Sequence, residues 1–392
     1  MQDLVWLPIL LLPVAAWSGW YLARRSGRDA GTRGARSAIT PDYFKGISYL
    51  LNEQPDKAIE VFIKVLEVDS ETVETHLALG NLYRRRGEVD RAIRIHQNLI
   101  ARPTLSVEQR NEALLELGQD YLSAGLFDRA ESLLQELVDV EQYRVRALRH
   151  VIDIYEQEKD WDKAVGAARK LGQVTGHPPT DVIAQYYCEQ AERLLAEGHS
   201  GEALKTARRA LDTDGTCARA SLIEGDILMD RKDYKGAMRA YERVETQAPE
   251  FVPEVIHRMD RCVRALDRPG RMEEYLSSLL ERRGGVTVTL ALADLVRDEQ
   301  GARAAVEFIA AQLRRRPSVR ALDRLLELEL GTPGRPAPDH LAIFKELTDR
   351  LLQDRPVYKC RHCGFPAKSL HWQCPGCKHW NTIRPIQGVE GE

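Results

Sequence analysis

Neither sign of charge dominates this chain, and aromatic residues are few. Its 56 Lys and Arg meet 59 Asp and Glu, a formal net charge of -3. That balance argues against a protein binding nucleic acid along its length, which usually carries a strong basic excess. Aromatics make up 7% and charged residues 29%, which suits solvated helices better than β-sandwiches. Cysteine is sparse as well: the seven present form no secreted-type framework. Cys188, Cys217 and Cys262 lie scattered in helical stretches and read as small buried apolar residues. There is no P-loop, no G-x-G-x-x-G before a helix, no G-x-S-x-G and no H-E-x-x-H. No catalytic residue is assigned, the carboxylates read as solvated helix faces, and the expectation is a protein that is not an enzyme.

Long apolar runs are missing too, with one exception. Leu4 to Leu22 is nineteen positions without a charge, nearly enough at helical rise to span a hydrocarbon core of roughly 30 Å. Trp6 at one end, and Trp17, Trp20 and Tyr21 at the other, suit the membrane interfaces. Pro8 and Pro13 would kink such a helix, which membrane spans tolerate. A cleaved signal peptide needs basic residues before its apolar run. Here only Asp3 precedes, while Arg24, Arg25, Arg28, Arg33 and Arg36 follow. Those arginines hold the downstream side in the cytoplasm, so the expectation is a single span with its N-terminus outside. The next stretch, SGRDAGTRGARSAI, reads as a flexible basic linker.

From Tyr43 a pattern recurs at a period near 34 residues. Gly46, Tyr49, Ala58 and Phe62 return as Gly80, Tyr83, Ala92 and His96, then as Gly118, Tyr121, Ala130 and Leu134. Tyr155 with Ala164, Ala203 with Ala207, and Gly225, Ala237 and Tyr241 with Pro249 continue the series. Tyr275, and Ala304 with Phe308, mark weaker copies. Small residues belong where two helices approach closely, with large ones filling the gap beside them. Segments such as DRAIRIHQNLI place apolar residues at helical spacing. The pattern resembles the tetratricopeptide repeat, whose helical hairpins bury a core only by stacking, with a concave groove for peptides or proteins. The run Arg84, Arg85, Arg86 reads as charge compensating a helix C-terminus. GTPGRPAP, residues 331–338, breaks the pattern as a hinge would, and an amphipathic helix follows from about Asp339 to Leu352.

The tail reads YKCRHCGFPAKSLHWQCPGCKHWNTIRPI. Cys360-x2-Cys363 and Cys374-x2-Cys377 form two knuckles whose four thiolates suit a tetrahedral zinc or iron ion. Gly364, Pro375 and Gly376 supply the turns. Three uses compete. Rubredoxin-like electron transfer is one, but ten intervening residues leave little protein to insulate an iron. Nucleic-acid binding is another, since Lys359, Arg361, Lys368, Lys378 and Arg384 lack an intervening acid, yet a tetrathiolate site of about -2 absorbs that excess. A structural clip fits best, because a tail this short cannot fold unaided and metal supplies the missing free energy. His362, His371 and His379 read as solvent-facing or packing. Phe365, Leu370, Trp372 and Trp380 are too many for so small a unit, so some should pack on the helical array.

This reading divides the chain into a transmembrane anchor (1–23), a basic linker (24–40), a repeat array (41–330), a hinge and connecting helix (331–355) and a rubredoxin-like metal-binding domain and tail (356–392). The fold class is an all-α tetratricopeptide superhelix with those two appendages. Anchor, array and knuckles together resemble the lipopolysaccharide assembly protein B family (LapB, also YciM), most specifically in C-x2-C-G-F, W-x-C-P-x-C and W-x-T-I-R-P-I. The resemblance carries the family's metal ligands onto Cys360, Cys363, Cys374 and Cys377, and transfers no groove residue. It implies a bacterial inner-membrane adaptor regulating lipopolysaccharide synthesis. In that family the adaptor promotes degradation of the deacetylase LpxC by the membrane protease FtsH, and a membrane lipopolysaccharide sensor, PbgA or YejM, restrains it. A general scaffold for lipopolysaccharide-synthesis or transport proteins and, more distantly, a redox protein stay open, as does homo-oligomerisation. No nucleic-acid partner is implied.

Overall fold

The structure, a computed structural model, describes residues 41–52, 54–68, 72–331, 339–353, 355–389 and 391–392. The anchor, the linker and residues 332–338 of the hinge lie outside the described residues. Among those described, no helix is long and apolar enough to cross a membrane. The chain divides into two compact units, Met1–Ile154 and Tyr155–Glu392.

The first unit contains α1 (Pro41–Leu51), α2 (Pro55–Val68), α3 (Val73–Arg85), α4 (Val89–Ile100), α5 (Val107–Ser123), α6 (Phe127–Val138) and most of α7 (Glu141–Glu158). The second continues with α8 (Trp161–Thr175), α9 (Thr180–Ala196), α10 (Ser200–Thr213), α11 (Ala218–Asp230) and α12 (Tyr234–Gln247). A 3-10 turn at Pro249–Phe251 leads into α13 (Val252–Ala265), α14 (Pro269–Arg282), α15 (Val286–Gln300), α16 (Ala302–Arg315), α17 (Val319–Leu330) and α18 (Asp339–Gln353). The tail departs from the all-α expectation. Strands β1 (Tyr358–Cys360), β2 (Pro366–Ala367) and β3 (Ile383–Pro385) form a small antiparallel sheet in the order β2-β1-β3.

Four of the hairpins close on a notch and a knob. A Cβ on Gly46 would stand 2.7 Å from the Phe62 ring, one on Gly80 2.3 Å from His96, one on Gly118 2.8 Å from Leu134, and one on Gly225 2.3 Å from Tyr241. In every case the knob lies sixteen residues after the notch, on the second helix of the hairpin. The recurring small-and-large pattern is therefore a packing rule. His96 takes the knob position inside the core, and its Nδ1 lies 2.5 Å from the buried Asp120 Oδ2. The late repeat departs from expectation by one residue. Ala305 and Ile309 are the fully buried pair, packed with the buried Ala293, while Phe308 only flanks the cluster. Ala304 likewise is only partly buried.

Successive hairpins are also tied across their first helices. Arg84 on α3 reaches Glu116 and Asp120 on α5 at 2.7 Å each, and Arg146 on α7 reaches Glu112. In the second unit Arg219 on α11 meets Glu189 and Glu192 on α9, Arg258 on α13 meets Asp226, and Arg324 on α17 meets Asp294. Arg84 and Arg85 do stand in the last turn of their helix, as read from sequence. The guanidinium of Arg84, however, is committed to the next hairpin.

Candidate metal centre

Two tight turns bring the four tail cysteines together. Gly364, with φ +80°, lets the chain fold back after Cys363, a backbone region that favours glycine. Its N–H donates to the Cys360 carbonyl, while the Cys363 N–H lies 3.4 Å from the Cys360 sulfur. Cys360 Sγ and Cys377 Sγ are 3.8 Å apart, Cys363 Sγ and Cys374 Sγ 3.7 Å, and all four sulfurs lie within 4.8 Å of one another. A disulfide would need about 2.05 Å. Corners of a tetrahedron with ligands about 2.3 Å from a central ion are about 3.8 Å apart, so the spacing fits a metal and not a bridge.

The electrostatics point the same way. Burial opposes the Cys360 thiolate, but the Thr382 hydroxyl and the N–H groups of Cys363 and His362 outweigh it and bring the thiol down to about 5. At Cys377 the His379 N–H favours ionisation, yet desolvation and the three neighbouring sulfurs prevail and push it up to about 12. Four thiolates this close repel one another unless a cation sits among them. His362 and His379 stack with centroids 3.9 Å apart and their planes inclined by 21°. Together with Cys377 they are near enough to be ligands, but stacked rings aim their in-plane lone pairs side by side and not at one point. His371 is exposed.

Two of the four large apolar groups named from sequence pack on the helices. Trp380 completes an aromatic cluster with Trp161 and Tyr186, at 6.1 and 5.8 Å between centroids. Its indole N–H donates to Glu156 Oε1 at 2.8 Å, and Gln373 donates to Oε2 of the same carboxylate at 2.9 Å. Trp372 lies 5.1 Å from Phe251, with the Arg219 guanidinium over its ring. Phe365 and Leu370 instead cover the ribbon's own centre around Cys360, Cys374 and Ile383. Arg384, read from sequence as compensating the thiolates, pairs with Glu250 at 2.9 Å and lies over Phe251. Tyr358 donates to Glu254, and Val319 donates its N–H to Val389 O at 2.9 Å.

Glu156, Arg219 and Phe251 form the docking face, and sequence reasoning singled out none of them. Glu156 lies 224 residues from Trp380, and nothing local distinguishes it from other helix-face carboxylates. Cys188, Cys217 and Cys262 are buried as expected. Cys188 and Cys217 sulfurs stand 3.8 Å apart, and burial pushes the Cys262 thiol up to about 11.

The geometry defines stacked helical hairpins carrying a four-cysteine ribbon, and the comparisons place both parts. Residues 358–385 match the profile described as "Rubredoxin metal binding domain". Residues 75–108, 115–178 and 188–250 match profiles described as "Tetratricopeptide repeat". The chain is 37% identical to "Lipopolysaccharide assembly protein B" of Escherichia coli (strain K12) over 387 residues, 98% of this chain and 99% of that protein. It is 34% identical to the protein of that name from Haemophilus influenzae, again over 98% and 99%. Among solved structures, the crystal structure of MamA is similar at 25% identity and a TM-score of 0.34, covering 44% of this chain and 90% of that one. This is a tetratricopeptide-repeat protein with a rubredoxin-type ribbon. The chain belongs to the lipopolysaccharide assembly protein B family.

Proposed function

We propose that the chain is a single-pass inner-membrane adaptor, anchored by residues 1–23 with its body in the cytoplasm, that regulates lipopolysaccharide synthesis without catalysing a reaction. Its targets are the deacetylase LpxC and the membrane protease FtsH: the adaptor brings the two together, and the sensor PbgA or YejM restrains it. Full-length similarity to lipopolysaccharide assembly protein B carries this reading. Confining adaptor and protease to one membrane surface raises their effective concentration without tight pairwise affinity.

Within the adaptor, Cys360, Cys363, Cys374 and Cys377 hold one iron or zinc ion. When bound, the ion supplies the folding free energy that so small a sheet lacks. The ribbon then acts as a clip, a role supported by the two indoles and Arg384 that it sets into the second unit. A redox use has no comparable observation behind it.

The test follows deacetylase half-life in cells carrying the full chain, no chain, or a chain lacking residues 1–24, all at native level. A half-life that lengthens both on depletion and on loss of the anchor is expected. An unchanged half-life on depletion would replace this reading with that of a general assembly scaffold. Normal turnover with the truncated chain would remove tethering from the mechanism.

A further inference from the structure

Where the ribbon meets the last repeats, a cavity of about 650 Å³ opens, a size at which clefts engulf most of a ligand's surface. Its accessible apolar surface comes from Pro253, Val286, Leu313 and Pro317, while Val252, Leu279 and Val288 lie buried behind them. Guanidinium groups gather on its lining, from Arg283, Arg315 and Arg316 at helix ends and Arg361 on the ribbon. The two carboxylates there are already matched. Glu250 pairs with Arg384, and Glu392 accepts from the Thr287 N–H at 3.1 Å and meets Arg320 at 2.5 Å. Arg283 pairs with Glu245 at 3.6 Å, outside the cavity lining, and Arg361 reaches Glu250 only at 4.0 Å. Arg315 and Arg316 are exposed with no carboxylate partner among the described residues, and Arg316 donates to the Arg283 carbonyl at 2.9 Å. The cavity therefore combines a partly apolar wall with an excess of positive charge at Arg315 and Arg316.

The chain's own tail shows what such a surface accepts. Beside the cavity, Val389 offers its carbonyl to the first N–H of α17, and the Glu392 carboxylate sits at the first turn of α15. A peptide carbonyl and a carboxylate are thus bound along one wall, while Arg315 and Arg316 on the remaining lining meet no carboxylate among the described residues.

We propose that this cavity docks a short acidic and apolar segment of a partner protein. An apolar side chain enters against Val286 and Leu313, and carboxylates meet Arg315, Arg316 and Arg361. The proposal deepens the adaptor reading above and rests on it for the identity of the partner as a protein, while the site itself is testable alone.

The probe is a fluorescein-labelled hexapeptide of alternating leucine and glutamate, titrated into the full metal-loaded chain in detergent and followed by anisotropy. Saturable binding is expected, weakened at least tenfold when the peptide's glutamates become glutamines. The double variant Arg315→Glu, Arg316→Glu should weaken it to a similar degree, with helical circular dichroism and metal content unchanged. Equal affinity for the glutamine peptide overturns the proposal even if the arginine variant misfolds. Displacement of the probe by phosphatidylglycerol vesicles, but not by excess unlabelled peptide, would also overturn it and assign the arginines to a lipid surface. Deacetylase half-life in the same variant separates the two readings. Peptide binding lost with normal turnover leaves the site standing and counts against the adaptor role assigned to it. No peptide binding, with turnover still dependent on the chain, removes the site alone.

Discussion

At Gly225 two opposing effects act on the same atom. Replacing a helical glycine by alanine ordinarily gains about 1 kcal/mol in backbone entropy and helix propensity. The new Cβ here would stand 2.3 Å from Cε1 of Tyr241, a fully buried ring whose hydroxyl donates to Asp226. Overpacking of this kind costs about 1–3 kcal/mol, and the ring cannot swing aside without giving up that hydrogen bond. The clash should win, so Gly225→Ala is expected to destabilise the second unit by about 1–2 kcal/mol. Gly166, exposed in the middle of α8 with nothing near its Cβ position, supplies the control. Gly166→Ala should stabilise by about 0.5–1 kcal/mol, and urea denaturation of both variants checks the opposite signs. The same contrast explains which features are legible in the sequence alone. Gly46, Gly80, Gly118 and Gly225 recur because each faces a large knob, so contact chemistry imprints a period on the sequence. Ala304 and Phe308 mislead because an alanine-rich helix offers two registers, and only packing against Ala293 selects Ala305 and Ile309. The four cysteines are legible because ligand spacing is local, whereas Glu156 serves the ribbon only through the fold.

At the scale of elements, the turns inside seven of the hairpins make one recurring demand. Gly87, Gly125, Gly198 and Gly301 each carry a positive φ between the two helices of a hairpin. Lys159, Lys232 and Asp267 stand at the corresponding turns with φ of 57°, 62° and 53°. A side chain in that region costs roughly 1–2 kcal/mol, against about 0.5–1 kcal/mol of extra unfolded-state freedom that a glycine would bring. The strain is the larger quantity. Lys159→Gly and Lys232→Gly should each stabilise the fold by about 0.5–1 kcal/mol, and the pair should add, since they lie in separate hairpins. Thermal melts of the single and double variants measure this. A drop in melting temperature for both single variants would mean that the lysine side chains hold the turns by contacts worth more than the strain.

Across the whole molecule, the ribbon's hold on the repeats should depend on the ion that its cysteines are proposed to bind. Its three strands are only 3, 2 and 3 residues long, far too little sheet to persist alone. The docking groups hang from those strands and knuckles: Trp372 and Gln373 precede Cys374, while Trp380 and Arg384 follow Cys377. Stripping the metal therefore removes the scaffold that aims them. Glu156 loses two donors, the rings of Trp161 and Phe251 lose an aromatic neighbour, and Glu250 loses its guanidinium partner. Tryptophan emission would report this poorly, because Trp6, Trp17 and Trp20 lie near the N-terminus. Hydrogen exchange resolves it by segment. After chelation under reducing conditions, which keep the freed thiols unmodified, amides of the ribbon should exchange at once. Those of α9, α11 and the 249–265 stretch should exchange faster by about tenfold, with α5 as the internal reference. Restoring zinc or iron should restore protection in both places together. Protection of the ribbon that survives complete metal loss would instead mean that its contacts with the repeats hold the sheet, reversing the direction of support between clip and array.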